Sequence, residues 1–390
     1  MTYKGLAALV VAVVIAVVAA LALQQSEDDS PLAGGIYFSE LLQNVNEVSE
    51  VRIKSASNNV TLIRDGGNWY VAEKDRYPAA NEKARAVILG LARLEKIEPK
   101  TSNPKLYEKL GVQGITETNA ESTLIRLISE QGKDLAVVLV GKTSRANGKP
   151  GLQQMYVRRP DDAQTWLVEG SLPKLGAAAD WLRQELVKID ASRVWQVRVK
   201  HEDGEVLTVL KKVPAGPDFA LLELNPGEIL DTQYSLNRIV DSFRELRFAD
   251  VISADKAPVT GNGNVTEVEL LTFDGLRITM KAHRIEDKIY ARLSAAFDQA
   301  LIHEQPTDVK NDALTPVEAS NNRAAEGKSK PKPKLQTQEQ TRAEAEGLQT
   351  LWQSWVYVIP AYQFDNITVK KKDLLQKEKK SNGDKPAAKP

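Results

Sequence analysis

The sequence predicts an α+β protein: an N-terminal transmembrane helix, then two tandem repeats, each an antiparallel sheet with a covering helix. Three observations predict this. A long apolar run opens the chain, a strand motif recurs 146 residues apart, and an apolar helical face recurs 152 residues apart. The chain has 390 residues, room for two or three domains at about 100–200 residues each. Hydrophobic residues make up 42% and charged residues 27%, so the body can bury a core.

The first element is the run Gly5–Leu23, which is uncharged and almost wholly apolar. As a helix it spans about 28 Å, close to a bilayer core of about 30 Å. Lys4 precedes it and Glu27, Asp28 and Asp29 follow. The positive-inside rule then puts the N-terminus in the cytoplasm and the body outside. Ala20-Leu21-Ala22 also has the small-x-small form of a cleavage site. The run is longer than a signal-peptide core, which favours an uncleaved anchor. Residues 1–25 are thus read as membrane anchor or signal segment and 26–40 as linker, with the body in the bacterial periplasm.

The next elements are the two repeats, 41–190 and 191–370. Val48-Ser-Glu-Val-Arg-Ile-Lys54 returns as Val194-Trp-Gln-Val-Arg-Val-Lys200. Second strands follow at Val60 and Val206. A helix then carries Val87, Ile88, Leu91 and Leu94 in the first copy, and Ile239, Val240, Phe243 and Leu246 in the second. That spacing lines one helical stripe. Alternating runs follow in the same order: Thr123, Leu135, Met155 and Trp166 open them in copy one, and Val265, Leu276, Ile289 and Trp355 in copy two. They read as antiparallel meanders, with Asp274-Gly275 as one turn. A short helix is expected over Ala177–Leu186, with a counterpart at Tyr37–Leu42.

Copy two is interrupted. Lys328-Ser-Lys-Pro-Lys-Pro-Lys334 sits in an apolar-poor stretch, and a disordered insertion is expected at about 305–340. Thr341–Gln353 is Ala- and Glu-rich and reads as helix. The end of the chain, 371–390, is Lys-rich and reads as a disordered tail.

Several residues now fall into a known pattern. Asn68-Trp69-Tyr-Val, Tyr77-Pro-Ala, Thr101-Ser and Tyr107-Glu-Lys-Leu-Gly-Val resemble a bacterial family, as do Val140-Gly141 with Met155-Tyr-Val-Arg, and Trp181-Leu-Arg with Val197-Arg-Val. The family is domain of unknown function 4340. The resemblance covers about residues 40–300 and resumes at 350–370. It implies a membrane-anchored protein, often an accessory partner of ABC transporters of the gliding-motility type. It carries no catalytic residues over to this chain, and the Lys-rich insertion departs from the pattern.

Residue types exclude much chemistry. There are 52 basic and 52 acidic residues, so the net charge is zero and a general phosphate-neutralising surface is not expected. The absence of Cys removes disulfides, thiolate metal sites and Cys nucleophiles. Gly141-Lys-Thr-Ser lacks the first Gly of a P-loop, since position 136 is Ala, and is read as a hairpin turn. His201, His283 and His303 show no metal spacing and read as solvated strand-edge residues. No G-x-S-x-G is present. Asp161-Asp162 reads as a solvated turn. Of the six Trp residues, Trp69, Trp166, Trp181 and Trp195 read as core. Trp352 and Trp355, three apart beside the insertion, are the candidate partner contact, on one exposed helical face.

The expected function is therefore a non-enzymatic periplasmic accessory or scaffold protein, with an ABC permease and its ATPase as partners and no nucleic acid. Neither catalytic, cofactor-binding nor metal residues are expected. A cell-envelope glycan or lipid binding module is the alternative, and an unrecognised carboxylate-based hydrolase the second.

Overall fold

The computed structural model describes residues 34–146, 148–214, 219–258, 265–302 and 335–376. The protein is mixed α+β, with large antiparallel sheets and few helices. Among the described residues no helix is long and apolar enough to cross a membrane. The anchor expected at 5–23 lies outside the described residues, as does the insertion from 303 to 334. The chain divides into two units, Met1–Arg183 and Gln184–Pro390.

In unit 1, strands β1 (Val48–Lys54), β2 (Asn59–Asp65), β3 (Asn68–Val71) and β4 (Tyr77–Pro78) lead to helix α1 (Asn81–Ala92). Then follow β5 (Glu95–Pro99), β6 (Thr123–Ser129), β7 (Asp134–Arg145), β8 (Gln153–Arg158) and β9 (Thr165–Gly170). The sheet order is β4-β3-β2-β1-β6-β7-β8-β9-β5. In unit 2, β10 (Glu185–Val187), β11 (Val194–Lys200), β12 (Val206–Leu210) and β13 (Ala220–Leu221) lead to helix α2 (Gln233–Asp241). Next come β14 (Leu246–Arg247), β15 (Asp250–Ser253), β16 (Thr266–Thr272), β17 (Leu276–Ile285) and β18 (Lys288–Phe297). Helix α3 (Gln338–Trp352), β19 (Trp355–Ile359) and helix α4 (Ala361–Ile367) complete it. The sheet order is β13-β12-β11-β16-β17-β18-β19-β15, which is the order of unit 1 without its β4.

The likeness extends to single residues. Val48 and Val51 are three apart, not two, yet both are buried. A bulge at Ser49, between the pairs Val48–Ser129 and Glu50–Ile128, supplies the extra residue that restores the phase. The same bulge occurs at Trp195, between Val194–Thr272 and Gln196–Leu271. The stripes expected on the helices are buried throughout, Val87 to Leu94 and Ile239 to Leu246, although Leu94 lies just beyond α1 and Leu246 in β14.

Each unit is also closed by its own strap. In unit 1, Ala80 N donates to Trp181 O at 2.8 Å and Arg183 N to Pro78 O at 3.0 Å, either side of an Ala79–Leu182 bridge. In unit 2, Asp231 N donates to Leu374 O at 2.8 Å and Gln376 N to Ile229 O at 2.9 Å, either side of a Leu230–Leu375 bridge. Trp181 and Leu374 are buried at equivalent points.

Four expectations need correction. Residues 34–40 are not linker: Tyr37 and Phe38 are buried and Gly34 N donates to Lys96 O at 3.0 Å. Residues 371–376 are not tail, because a 3-10 turn and the buried Leu374 tie them to the sheet unit. Their lysine content suggested solvation, but Lys370 pairs with Asp203 and Lys371 Nζ lies 2.6 Å from Glu228. Order returns by residue 335, since Thr337 caps α3 through Gln340 N at 3.3 Å, so 335–340 do not belong to a disordered stretch. The join at 177–186 is not a continuous helix: a 3-10 turn at Ala178–Trp181 gives way to β10, which pairs with β14 in unit 2.

Candidate functional site

The densest buried polar cluster lies in unit 2, at the Asp274-Gly275 turn joining β16 to β17. Gly275 has φ +93°, which a side chain disfavours, and this turns the chain sharply enough to aim Asp274 inward. Asp274 receives Arg193 Nε at 2.7 Å and Nη2 at 3.2 Å. It also receives Thr272 Oγ1 at 2.5 Å and Gln336 N at 3.0 Å. On its other edge Arg193 donates to Glu344 on α3 at 2.7 and 3.2 Å. The Arg193 and Asp274 side chains are 8% and 2% exposed, so this pairing is sheltered from solvent. Burial opposes the Arg193 charge, but its hydrogen bonds to Glu344 and Asp274 outweigh it and hold the guanidinium above its ordinary value. Both oxygens of Asp274 accept two hydrogen bonds each, so its acceptor sites are filled. The cluster clips α3, on the far side of the insertion, to the sheet.

Unit 1 buries a different cation. Arg158 stacks 4.4 Å over the Tyr107 ring. Its nitrogens donate to the carbonyls of Val112, Arg159 and Asp162, each at 3.2 Å. Tyr107 Oη donates to Ala163 O at 2.7 Å. This secures the β8–β9 turn, where Asp161 and Asp162 are exposed as expected. Nearby, burial pushes the Tyr37 hydroxyl up to about 12.

The residues singled out in the sequence fall apart in space. Trp352 and Trp355 do not share a helical face: Trp352 ends α3 and Trp355 begins β19. Trp352 is 1% exposed and Trp355 half-buried, so an exposed pair does not form. The α3 stripe of Thr341, Ala345 and Trp352 turns toward the sheet and carries the indole with it. His201 is buried rather than solvated, its Nε2 without a hydrogen-bond partner. His283 is half-buried on β17, and His303 lies outside the described residues. Gly141 is not in a hairpin turn but inside β7, at a bulge between the pairs Val140–Val157 and Thr143–Met155. The Leu110-Gly111 backbone lies against it, and a Cβ there would come within 2.7 Å of Gly111 O. Trp69, Trp166 and Trp181 are core residues, and Trp195 is half-buried at its bulge. Among the described residues no three His, Cys, Asp or Glu side chains are placed to hold a metal ion.

Two surface features carried no sequence signal, because exposure is set by the fold. In unit 2, Leu222 and Ile229, between β13 and α2, and Tyr234, in the first turn of α2, are 64%, 61% and 67% exposed. In unit 1, a cleft of about 510 Å³ lies beside β3, β4 and the start of α1, lined by Asn68, Tyr70, Asn81, Glu82, Arg85 and Arg183 among others.

Residues 69–262 match the model of a family described as Domain of unknown function (DUF4340). Over these residues the chain belongs to the DUF4340 family. No curated protein and no solved structure matches the chain. The DUF4340 match begins in β3 and ends between β15 and β16, so it crosses from unit 1 into unit 2 and takes in the cleft and the exposed apolar stretch.

Proposed function

We propose that this DUF4340 chain is a non-enzymatic accessory or scaffold protein of a cell-envelope complex of the ABC-transport type. Residues 5–23 anchor it in the bacterial inner membrane, and its two tandem sheet repeats stand in the periplasm. The observation that carries the reading is the concentration of exposed Leu222, Ile229 and Tyr234 on one stretch of unit 2. Large apolar side chains facing solvent along one segment mark a surface for a partner. The electrostatics lend support. Among the described residues, the carboxyls displaced from their ordinary values all move down, as hydrogen bonds from Ser192, Lys370, Lys371, Ser253 and Arg277 hold Asp190, Asp203, Glu228, Asp255 and Asp298 ionised. A carboxylate acting as general acid needs the opposite displacement. Membrane confinement raises effective concentration, so each contact can be weak.

The test is purification of the full-length protein from membranes in mild detergent after light crosslinking, with mass spectrometry of what comes with it. A permease and its ATPase in stoichiometric amounts, lost on replacing Leu222, Ile229 and Tyr234 by Ser, is the expected result. Recovery of the protein alone overturns the accessory role.

A further inference from the structure

The unit 1 cleft holds two guanidinium groups with nothing to bind. Arg85, on α1, and Arg183, on the strap, both line it, and neither side chain has an ion-pair or hydrogen-bond partner among the described residues. The one acid on the cleft wall, Glu82, is unpaired as well among the described residues. Asn68 adds an amide. Its Oδ1 accepts from Asn81 Nδ2 at 3.1 Å, while Asn81 Oδ1 accepts from Trp69 N at 2.9 Å. This chain of bonds orients the Asn68 amide and leaves its Nδ2 to donate. Tyr70 and Pro78 provide the apolar part of the wall.

Unit 2 serves as an internal control for what the fold requires. The helices align at an offset of 152, which places Tyr234 at the position of Glu82 and Asn237 at that of Arg85. The straps align by their backbone bonds, which places Gln376 at the position of Arg183. Unit 2 builds the same strap, and the same sheet order but for β4, with none of these charges. The strap and helix that the two units share therefore do not demand the two arginines.

We infer that the unit 1 cleft binds a phosphorylated polyol, with Arg85, Arg183 and the Asn68 amide holding the phosphate and Glu82 accepting from a hydroxyl. Three donor groups suit the several oxygens of a phosphate better than the two of a carboxylate, and guanidinium forks match phosphate geometry. The Glu82 carboxylate would repel a bare anion but accept a hydrogen bond from a neighbouring hydroxyl. A glycerol phosphate unit has both parts. It can reach the cleft as a soluble compound or as the headgroup of a phospholipid. This inference stands apart from the accessory role, since it concerns a different unit and a different surface.

The experiment is calorimetric titration of the full chain in dodecyl maltoside with two probes: glycerol 3-phosphate, and dihexanoyl phosphatidylglycerol below its micelle concentration. Dihexanoyl phosphatidylcholine is the reference. Saturable binding is expected, weakened about tenfold or more by Arg85→Gln and by Arg183→Gln, as for loss of a charge-assisted hydrogen bond. Lys105→Gln, exposed and away from the cleft, should leave it unchanged. Glycerol 3-phosphate binding alone identifies a soluble ligand. Phosphatidylglycerol binding above the phosphatidylcholine reference identifies a headgroup. Absence of binding by both probes overturns the inference. So does binding that survives Arg85→Gln with Arg183→Gln, or that Lys105→Gln weakens equally. Circular dichroism of the variants shows that they fold.

Discussion

Arg193 shows how one side chain can fix a long-range contact. It reaches the turn at Asp274 on one side and α3 at Glu344 on the other. Arg193→Met would leave Asp274 buried without its counter-charge, and such a loss costs about 3–5 kcal/mol. Urea denaturation should show that loss, and amide exchange should quicken in α3 before the sheet. Trp352 makes a contrasting case. Truncating a buried indole costs about 3–5 kcal/mol, so Trp352→Ala should destabilise the protein. If Trp352→Ala left stability intact and abolished partner recovery instead, a contact role would be restored to it. Gly141 is set by space. Gly141→Ala drives a Cβ into the Leu110-Gly111 backbone and should cost about 1–3 kcal/mol by overpacking, with no nucleotide involved.

Among the elements, the unit 2 strap is attached through two lysine–carboxylate pairs. Lys370 pairs with Asp203, Lys371 with Glu228, and Lys371 N donates to Glu205 Oε1 at 2.7 Å. Hydrogen bonds from the two lysines hold Asp203 and Glu228 below their ordinary values of 3.8 and 4.5. Their contribution is complete above those values and is lost as pH falls through the lowered ones. The bond to Asp203 raises Lys370 above 10.5, so its contribution is complete below that value and is lost as pH rises past the raised one. The strap is thus held best between 4.5 and 10.5. Protection of the Leu374 and Gln376 amides, taken relative to the unstructured-peptide exchange rate at each pH, should be lower at pH 3 than at pH 7, and lower again in high salt, which screens exposed pairs. The unit 1 strap, held by the buried Trp181, its backbone bonds to Pro78 and Ala80, and Lys83 on the Asp180 carbonyl, should change little. Equal loss of protection in both straps would show that the lysine pairs contribute nothing.

For the whole molecule, the absence of cysteine offers a direct test of where the body stands. Tyr362 is 67% exposed on α4, so Tyr362→Cys places a single reactive thiol on unit 2. A membrane-impermeant maleimide should label it in intact spheroplasts as fully as in lysed ones. Labelling only after lysis would put the body in the cytoplasm and remove the periplasmic reading. Duplication at this scale also explains the size of the chain. Two sheets of the same order give two surfaces at equivalent places, and these have diverged, one to Arg85 and Arg183 and the other to Tyr234, Asn237 and Gln376.

The sequence by itself determined the α+β class, the correspondence of the two copies element by element along the chain and the buried helical stripes. These follow from periodicity, and periodicity is local: Val51 and Ile53, or Val87 and Leu91, face the core because of their spacing alone. It also held the bulge at Ser49 and Trp195, as a spacing of three inside an alternating strand. Only the tertiary structure decided the rest. The burial of Trp352 depends on the sheet beneath α3, and the ordering of Lys370–Gln376 and the closing of Arg193 on Asp274 and Glu344 join residues between 81 and 167 positions apart. No local pattern encodes such pairings. The free guanidinium groups of the cleft were equally hidden, since a sequence shows that an arginine is present but not whether a carboxylate stands beside it.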